Sequence, residues 1–167
     1  SLRPTADDWV TALVKTTDLM QPCQNPNCKA HWFVFDNTTK PKCPFCGTEY
    51  HGQLPVLNLY YSPKQGVFKP ENYRLMDYNK QTMYLWHVNR FIFPNEKLTD
   101  DQKKPVGDFH FHNGKWILIN RRLPDLWDKD TDTKIEIGQY VELTEGKKIL
   151  LGKNDGDRLI IVQLVNN

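Results

Sequence analysis

The sequence predicts a mainly β protein: a short N-terminal helix, a cysteine ribbon and then an antiparallel β-sandwich. Three observations predict it. All four cysteines fall between Cys23 and Cys46, in two closely spaced pairs. Downstream, nine short runs rich in β-branched and aromatic residues are separated by turn residues. Asn113-Gly114 and Asp155-Gly156 are tight hairpin signals, and Glu145-Gly146 and Asp77 through Lys80 are further turn candidates.

The helix comes first, in residues 1–19. Thr5 is placed to cap it and Asp8 stands three residues on, where its carboxylate can reach back to the cap. Trp9 with Leu13 and Val10 with Val14 form i, i+4 apolar pairs. So short an amphipathic helix needs a surface to pack on, either the ribbon or something upstream.

Residues 20–52 form the ribbon. Four residues separate Cys23 from Cys28, two separate Cys43 from Cys46, and fourteen separate the pairs. Two such knuckles can close on one tetrahedral ion, which predicts a structural Zn2+ site with no open position. In Cys43-Pro44-Phe45-Cys46-Gly47, Pro44 sets φ and Gly47 admits a left-handed residue, so both thiolates turn to one side. His31 through Phe35 alternates like a strand, and Asp36 through Thr39 reads as the turn leading back to the second pair. Two disulfides are the competing interpretation, and His31 is the competing ligand in place of Cys28.

Residues 50–55 read as a linker, and residues 53–167 as the sandwich. The predicted strands are Val56–Tyr61, Tyr73–Asp77, Met83–Val88, Gly107–His112, Lys115–Asn120, Lys134–Ile137, Tyr140–Leu143, Lys148–Leu151 and Arg158–Val165. Asp108, His110 and His112 share one face of a strand, a pattern that suits either a metal or an ordinary solvent face. Leu126 and Trp127 beside Pro124 read as loop anchors, with an exposed partner patch as the alternative.

Composition excludes some functions. With 22 basic against 20 acidic residues, the formal charge is only +2, which argues against nucleic acid as a partner. There is no apolar run of about eighteen residues and no signal-peptide pattern, so no membrane is expected. Paired thiols kept for metal point to the cytoplasm.

Two resemblances extend the prediction. The stretch from Arg3 to Leu13, RPTADDWVTAL, resembles the closing helix of a protein-kinase C-lobe. Followed by PCQNPNC and CPFCG, it is similar in order to a bacterial group of kinase-like proteins that carry a cysteine-knuckle module after that helix. Among them are kinases encoded with a phosphatase and a von Willebrand factor A protein in tellurium-resistance-linked triads. The resemblance implies that the chain is the C-terminal region of a longer kinase, with a von Willebrand factor A-type protein or a phosphatase as partner. The chain itself has no glycine-rich phosphate loop and no His-Arg-Asp loop, and Asp108-Phe109 is followed by His110 rather than glycine, so no catalysis is expected of it.

The second resemblance covers roughly the last sixty residues. Trp116, Leu118, Gly138, Val141, Leu143, Gly146, Ile149, Leu151 and Gly152 resemble the second half of a forkhead-associated domain. That family implies a phosphothreonine site built from an arginine, a serine and an asparagine on loops at one end of the sandwich. Arg90 matches the arginine; no serine stands near Lys103 through Gly107, and Asp125 lies where the asparagine loop should fall. Arg90, Lys103, Lys104, Arg121 and Arg122 are the candidate anion or phosphopeptide site. The expected function is a regulatory docking region that binds a protein partner, in phosphorylated or unphosphorylated form. The alternative is a nucleic-acid module in which Trp32, Phe33 and Phe35 stack on bases while Lys29, Lys40 and Lys42 contact phosphates.

Overall fold

The computed structural model describes residues 3–35 and 40–166, and the turn expected at Asp36 through Thr39 lies outside them. Helix α1, Ala6–Thr17, starts at the capping box expected of Thr5 and Asp8. The ribbon supplies β1, Met20–Pro22, and β2, Trp32–Val34. The remaining elements are β3 (Leu54–Lys64), β4 (Val67–Met76), β5 (Thr82–Met83), α2 (Leu85–Val88), β6 (Gly107–His112), β7 (Lys115–Asn120), β8 (Trp127–Asp128), β9 (Thr133–Lys134), β10 (Tyr140–Glu142), β11 (Lys148–Leu150) and β12 (Leu159–Val165).

Among the described residues the strands form three antiparallel sheets: β1-β2, a four-stranded sheet β10-β7-β6-β5, and a six-stranded sheet β4-β3-β12-β11-β8-β9. The two larger sheets share one core. Met83, Phe109, Trp116, Leu118 and Val141 of the four-stranded sheet join Leu57, Leu59, Leu75, Ile149, Ile160 and Val162 of the six-stranded one in a single buried cluster. The protein is thus mainly β, with the helix and antiparallel sheets that the sequence predicts. No helix among the described residues is long and apolar enough to cross a membrane.

The ribbon is seated on this sandwich. By strand alternation Leu54, Val56 and Met76 belong to the opposite face of their sheet, yet they are buried too, and Phe35, Leu19 and Tyr50 join the same cluster. One hydrogen bond, Met76 N to Asp18 O at 2.7 Å, ties the segment leading into the ribbon to β4, while Phe35 N to Leu19 O at 2.8 Å and Gln24 with the His51 backbone at 2.9 and 2.7 Å hold the ribbon's own ends together. The segment expected as a linker is held down as well. Asn166 donates to Tyr50 O and Gly52 O, Trp116 Nε1 donates to Gln53 O, and Leu54 and Pro55 already belong to β3.

Several expected strands are corrected. Of Met83–Val88, only Met83 is in a strand, and Leu85–Val88 is a helical turn. Its physical cause lies far along the chain: Arg158 donates to the carbonyls of Trp86 at 2.7 Å and His87 at 3.2 Å. Those carbonyls would otherwise be unpaired at the end of a turn. Strand β4 begins six residues before the expected Tyr73, with Pro70 tolerated because the strand lies at the sheet edge. Lys134–Ile137 contracts to Thr133–Lys134, and β8 had no counterpart among the expected strands. Asn113-Gly114 forms the tight turn expected, with φ of 49° and 73°. Asp155-Gly156 does not: it sits in a longer loop between β11 and β12 that is tied to Asn89 and Arg90.

A buried polar chain joins α1 to the sandwich. Asp18, at the C-terminal cap of α1, accepts from Tyr73 Oη and lies 3.0 Å from His87 Nε2. His87 Nδ1 accepts from Tyr84 N, which leaves the proton on Nε2 for Asp18. Burial and the neighbouring Asp18 push the Tyr73 phenol far above its ordinary value. Beside them Arg158, buried, grips Glu71 through two nitrogens at 2.6 and 3.1 Å. Glu71→Ala would leave a buried guanidinium short of its carboxylate, a loss of about 3–5 kcal/mol. Urea unfolding is expected to show it as a lower midpoint at an unchanged slope.

Candidate metal centre

The β1-β2 hairpin sets the first knuckle. Its register pairs Gln21 with Phe33 and Pro22 with Trp32, and Cys23 N extends the ladder to His31 O at 2.8 Å. Cys28 N then closes on Asn25 O, and His31 N on Cys28 O. In the second knuckle Gly47 N bonds Cys43 O and Cys43 N bonds Thr48 O, each at 2.9 Å. Gly47 takes the left-handed conformation expected of it, with φ of 76°.

These turns bring the four sulfurs within 4.8 Å of one another. Cys23 Sγ lies 3.6 Å from Cys46 Sγ, and Cys28 Sγ lies 3.8 Å from Cys43 Sγ. A tetrahedral ion with metal–sulfur bonds of about 2.3 Å needs sulfurs about 3.8 Å apart, so the thiols fit one ion. A disulfide needs about 2.05 Å, and all four cysteines are free. His31 is not part of the group, nor do Asp108, His110 and His112 form one among the described residues. Asp108 is instead paired with Arg121.

The thiols differ electrically. Hydrogen bonds with the Thr48 side chain and backbone bring Cys46 down to about 6. At Cys23 the Asn25 amide pulls downward, but desolvation and the three neighbouring thiols push it up to about 12. Four sulfurs this close resist collecting negative charge without a cation, and a cation removes that resistance.

Alternation along β2 sorts the ribbon's aromatics. Phe33 and Phe35 point inward and are buried, Phe33 against Cys28 and Cys43, while Trp32 and Val34 face out. This corrects the base-stacking expectation: of Trp32, Phe33 and Phe35, only Trp32 reaches the surface, and it stands edge-on to Tyr78.

The five candidate anion-binding residues fall in two places. Lys104 and Arg122 bracket Asp101 at 3.3 and 2.9 Å, and Arg121 pairs with Asp108 while its amide and that of Arg122 bond Val106 O. Lys103 lies on the same loop, exposed. Arg90 stands elsewhere, 3.5 Å from Glu71 and 4.0 Å from the Tyr61 ring centre. Leu126 is fully buried, as a loop anchor should be, whereas the half-buried Trp127 carries Lys153 over its ring at 4.1 Å. Sequence alone does not suggest the groove of about 580 Å3 near that pair, lined by Lys64, Lys129 and Lys153. The Gln65-Gly66 and Asp155-Gly156 turns that line it are local signals of a loop, not of a groove. Searches of protein-family models, curated proteins and solved structures find no match to this chain.

Proposed function

We propose that this chain is a non-catalytic regulatory and protein-interaction region of a kinase-like protein. In it Zn2+ held by Cys23, Cys28, Cys43 and Cys46 fixes the ribbon as a joint, and the sandwich is the docking module. The observation that carries this is that the four-thiol centre stands between α1 and the sandwich in chain order and that Asn166 of the sandwich donates to the ribbon carbonyls of Tyr50 and Gly52. Zinc is the metal of choice for a closed all-thiolate tetrahedron, where it supplies crosslinking rather than chemistry. A reducing, cytoplasmic setting keeps such thiols free for metal.

Helix α1 supports the kinase-like part. It has no buried residue, meets the sandwich through Val14 and Lys15 near its C-terminal end, and turns Trp9 and Leu13 outward at 60% and 61% exposure. An apolar face left uncovered in this way would suit a helix that packs against a domain upstream. Support for a forkhead-associated-like sandwich comes from where the matching residues fall: Trp116 and Leu118 on β7, Gly138 before β10, Val141 on β10, Gly146 in the next turn, and Ile149 on β11. The loop end near Lys103, Lys104, Arg121 and Arg122 is the docking surface, and a phosphothreonine-bearing segment of a von Willebrand factor A-type or phosphatase partner is the first occupant to test.

Fluorescence anisotropy with matched phosphothreonine and unphosphorylated peptides from such partners tests this. Binding that Arg121→Glu and Arg122→Glu together weaken at least tenfold is expected, because reversing two charges repels an anionic ligand. Salt-dependent binding of single-stranded DNA with no peptide binding would favour the nucleic-acid alternative.

A further inference from the structure

The four thiols are not equivalent. Cys46 is exposed and Cys23 half-buried, whereas Cys28 and Cys43 are 3% and 1% exposed and packed with Phe33. The two more accessible sulfurs also face each other across the knuckles, 3.6 Å apart against 3.8 Å for Cys28 and Cys43. We propose that the Cys23–Cys46 half of the centre is an oxidation site for hydroperoxides, forming a disulfide that releases the metal while Cys28 and Cys43 remain reduced. This rests on the zinc proposal above.

The chemistry balances. The Cys46 thiolate attacks an oxygen of hydrogen peroxide; an S–O bond forms, the O–O bond breaks, and hydroxide leaves to be protonated to water. The Cys23 thiolate then attacks that sulfur, forming S–S and expelling a second hydroxide. The two sulfurs together lose two electrons and the peroxide gains them. Access chooses the first sulfur, since a water-borne oxidant meets Cys46 before it meets Cys28 or Cys43. Proximity chooses the second, because closing from 3.6 Å to about 2.05 Å requires only a small shift of the knuckles.

Two of four donors are then gone, and the ion leaves. The new bond still ties the knuckles, 23 positions apart in sequence, so the β1-β2 hairpin keeps a crosslink. Oxidation would thus exchange a metal staple for a covalent one, whereas chelation removes the staple altogether.

The test treats zinc-loaded protein with one to two equivalents of hydrogen peroxide and follows zinc release with a chromophoric chelator. Alkylation before and after reduction, with peptide mapping, then identifies the oxidised sulfurs. The expected result is zinc release in step with loss of labelling at Cys23 and Cys46, at least tenfold faster than at Cys28 and Cys43. Oxidation of Cys28 and Cys43 first, equal rates at all four, or zinc retained after the disulfide forms overturns the oxidation site and leaves the zinc proposal standing. Protein that holds no zinc before peroxide is added overturns both.

Discussion

Removing the metal is expected to unfold the ribbon and to weaken the sandwich with it. Outside the thiols, the ribbon's own buried cluster consists of Phe33 with Ala30 packed against it, too little apolar surface to hold a fold. Structural zinc contributes about 10–16 kcal/mol in small modules of this kind. Cys43→Ser, or a strong chelator, should therefore release the hairpin. Phe35 would leave the main core, where it is 4% exposed. Vacating a buried phenylalanine costs about 3–5 kcal/mol. At about 2–4 °C per kcal/mol for a domain of this size, the sandwich should melt roughly 6–20 °C lower. The near-UV circular dichroism of Trp32 against Tyr78 should vanish and all four thiols should react with Ellman's reagent. An unchanged Trp32 signal and unchanged thiol accessibility after chelation would sink the idea of a metal-dependent joint.

Asp77→Asn is expected to stabilise the protein at neutral and alkaline pH. Asp77 is wholly buried and, among the described residues, neither carboxylate oxygen has a hydrogen-bond partner. Desolvation raises its pKa well above the ordinary carboxylate value of 3.8. The sign follows from proton counts: once pH exceeds the unfolded value, the folded chain holds a proton that the unfolded chain has lost. Stability therefore falls as pH rises from about 3.8 until the raised folded value is passed. Asparagine keeps the shape of the protonated acid and cannot ionise. Urea midpoints at pH 4.5 and pH 8 should show the variant gaining on wild type as pH rises, since the metal centre's own pH dependence is common to both. A constant difference across that range would mean that Asp77 does not titrate with folding.

How far the fold is legible in the sequence depends on how local its causes are. Gly107–His112 and Lys115–Asn120 are expected and found with the same bounds, because alternation and the Asn113-Gly114 turn act within a few residues. The Thr5–Asp8 capping box is legible for the same reason. The Leu85–Val88 turn is not, since an arginine about seventy residues away satisfies its carbonyls. Strand β4 is obscured by Lys69, Pro70 and Glu71, which suit a sheet edge and an ion network rather than a recognisable alternation. The candidate anion site is half legible: the sequence finds the basic residues, but Asp101, Asp108 and Glu71 decide which of them are engaged.

By itself, then, the sequence determines a mainly β chain with a capped helix and a four-thiol centre at Cys23, Cys28, Cys43 and Cys46. Spacing, glycine at positive φ and short-range alternation specify those features without help from distant residues. Only the tertiary structure decides that Phe33 and Phe35 turn inward, that the ribbon lends Phe35 to the sandwich core, and that Cys46 is open while Cys28 and Cys43 are closed. Burial is a property of what packs against a residue, and those partners come together only when segments remote in the chain meet.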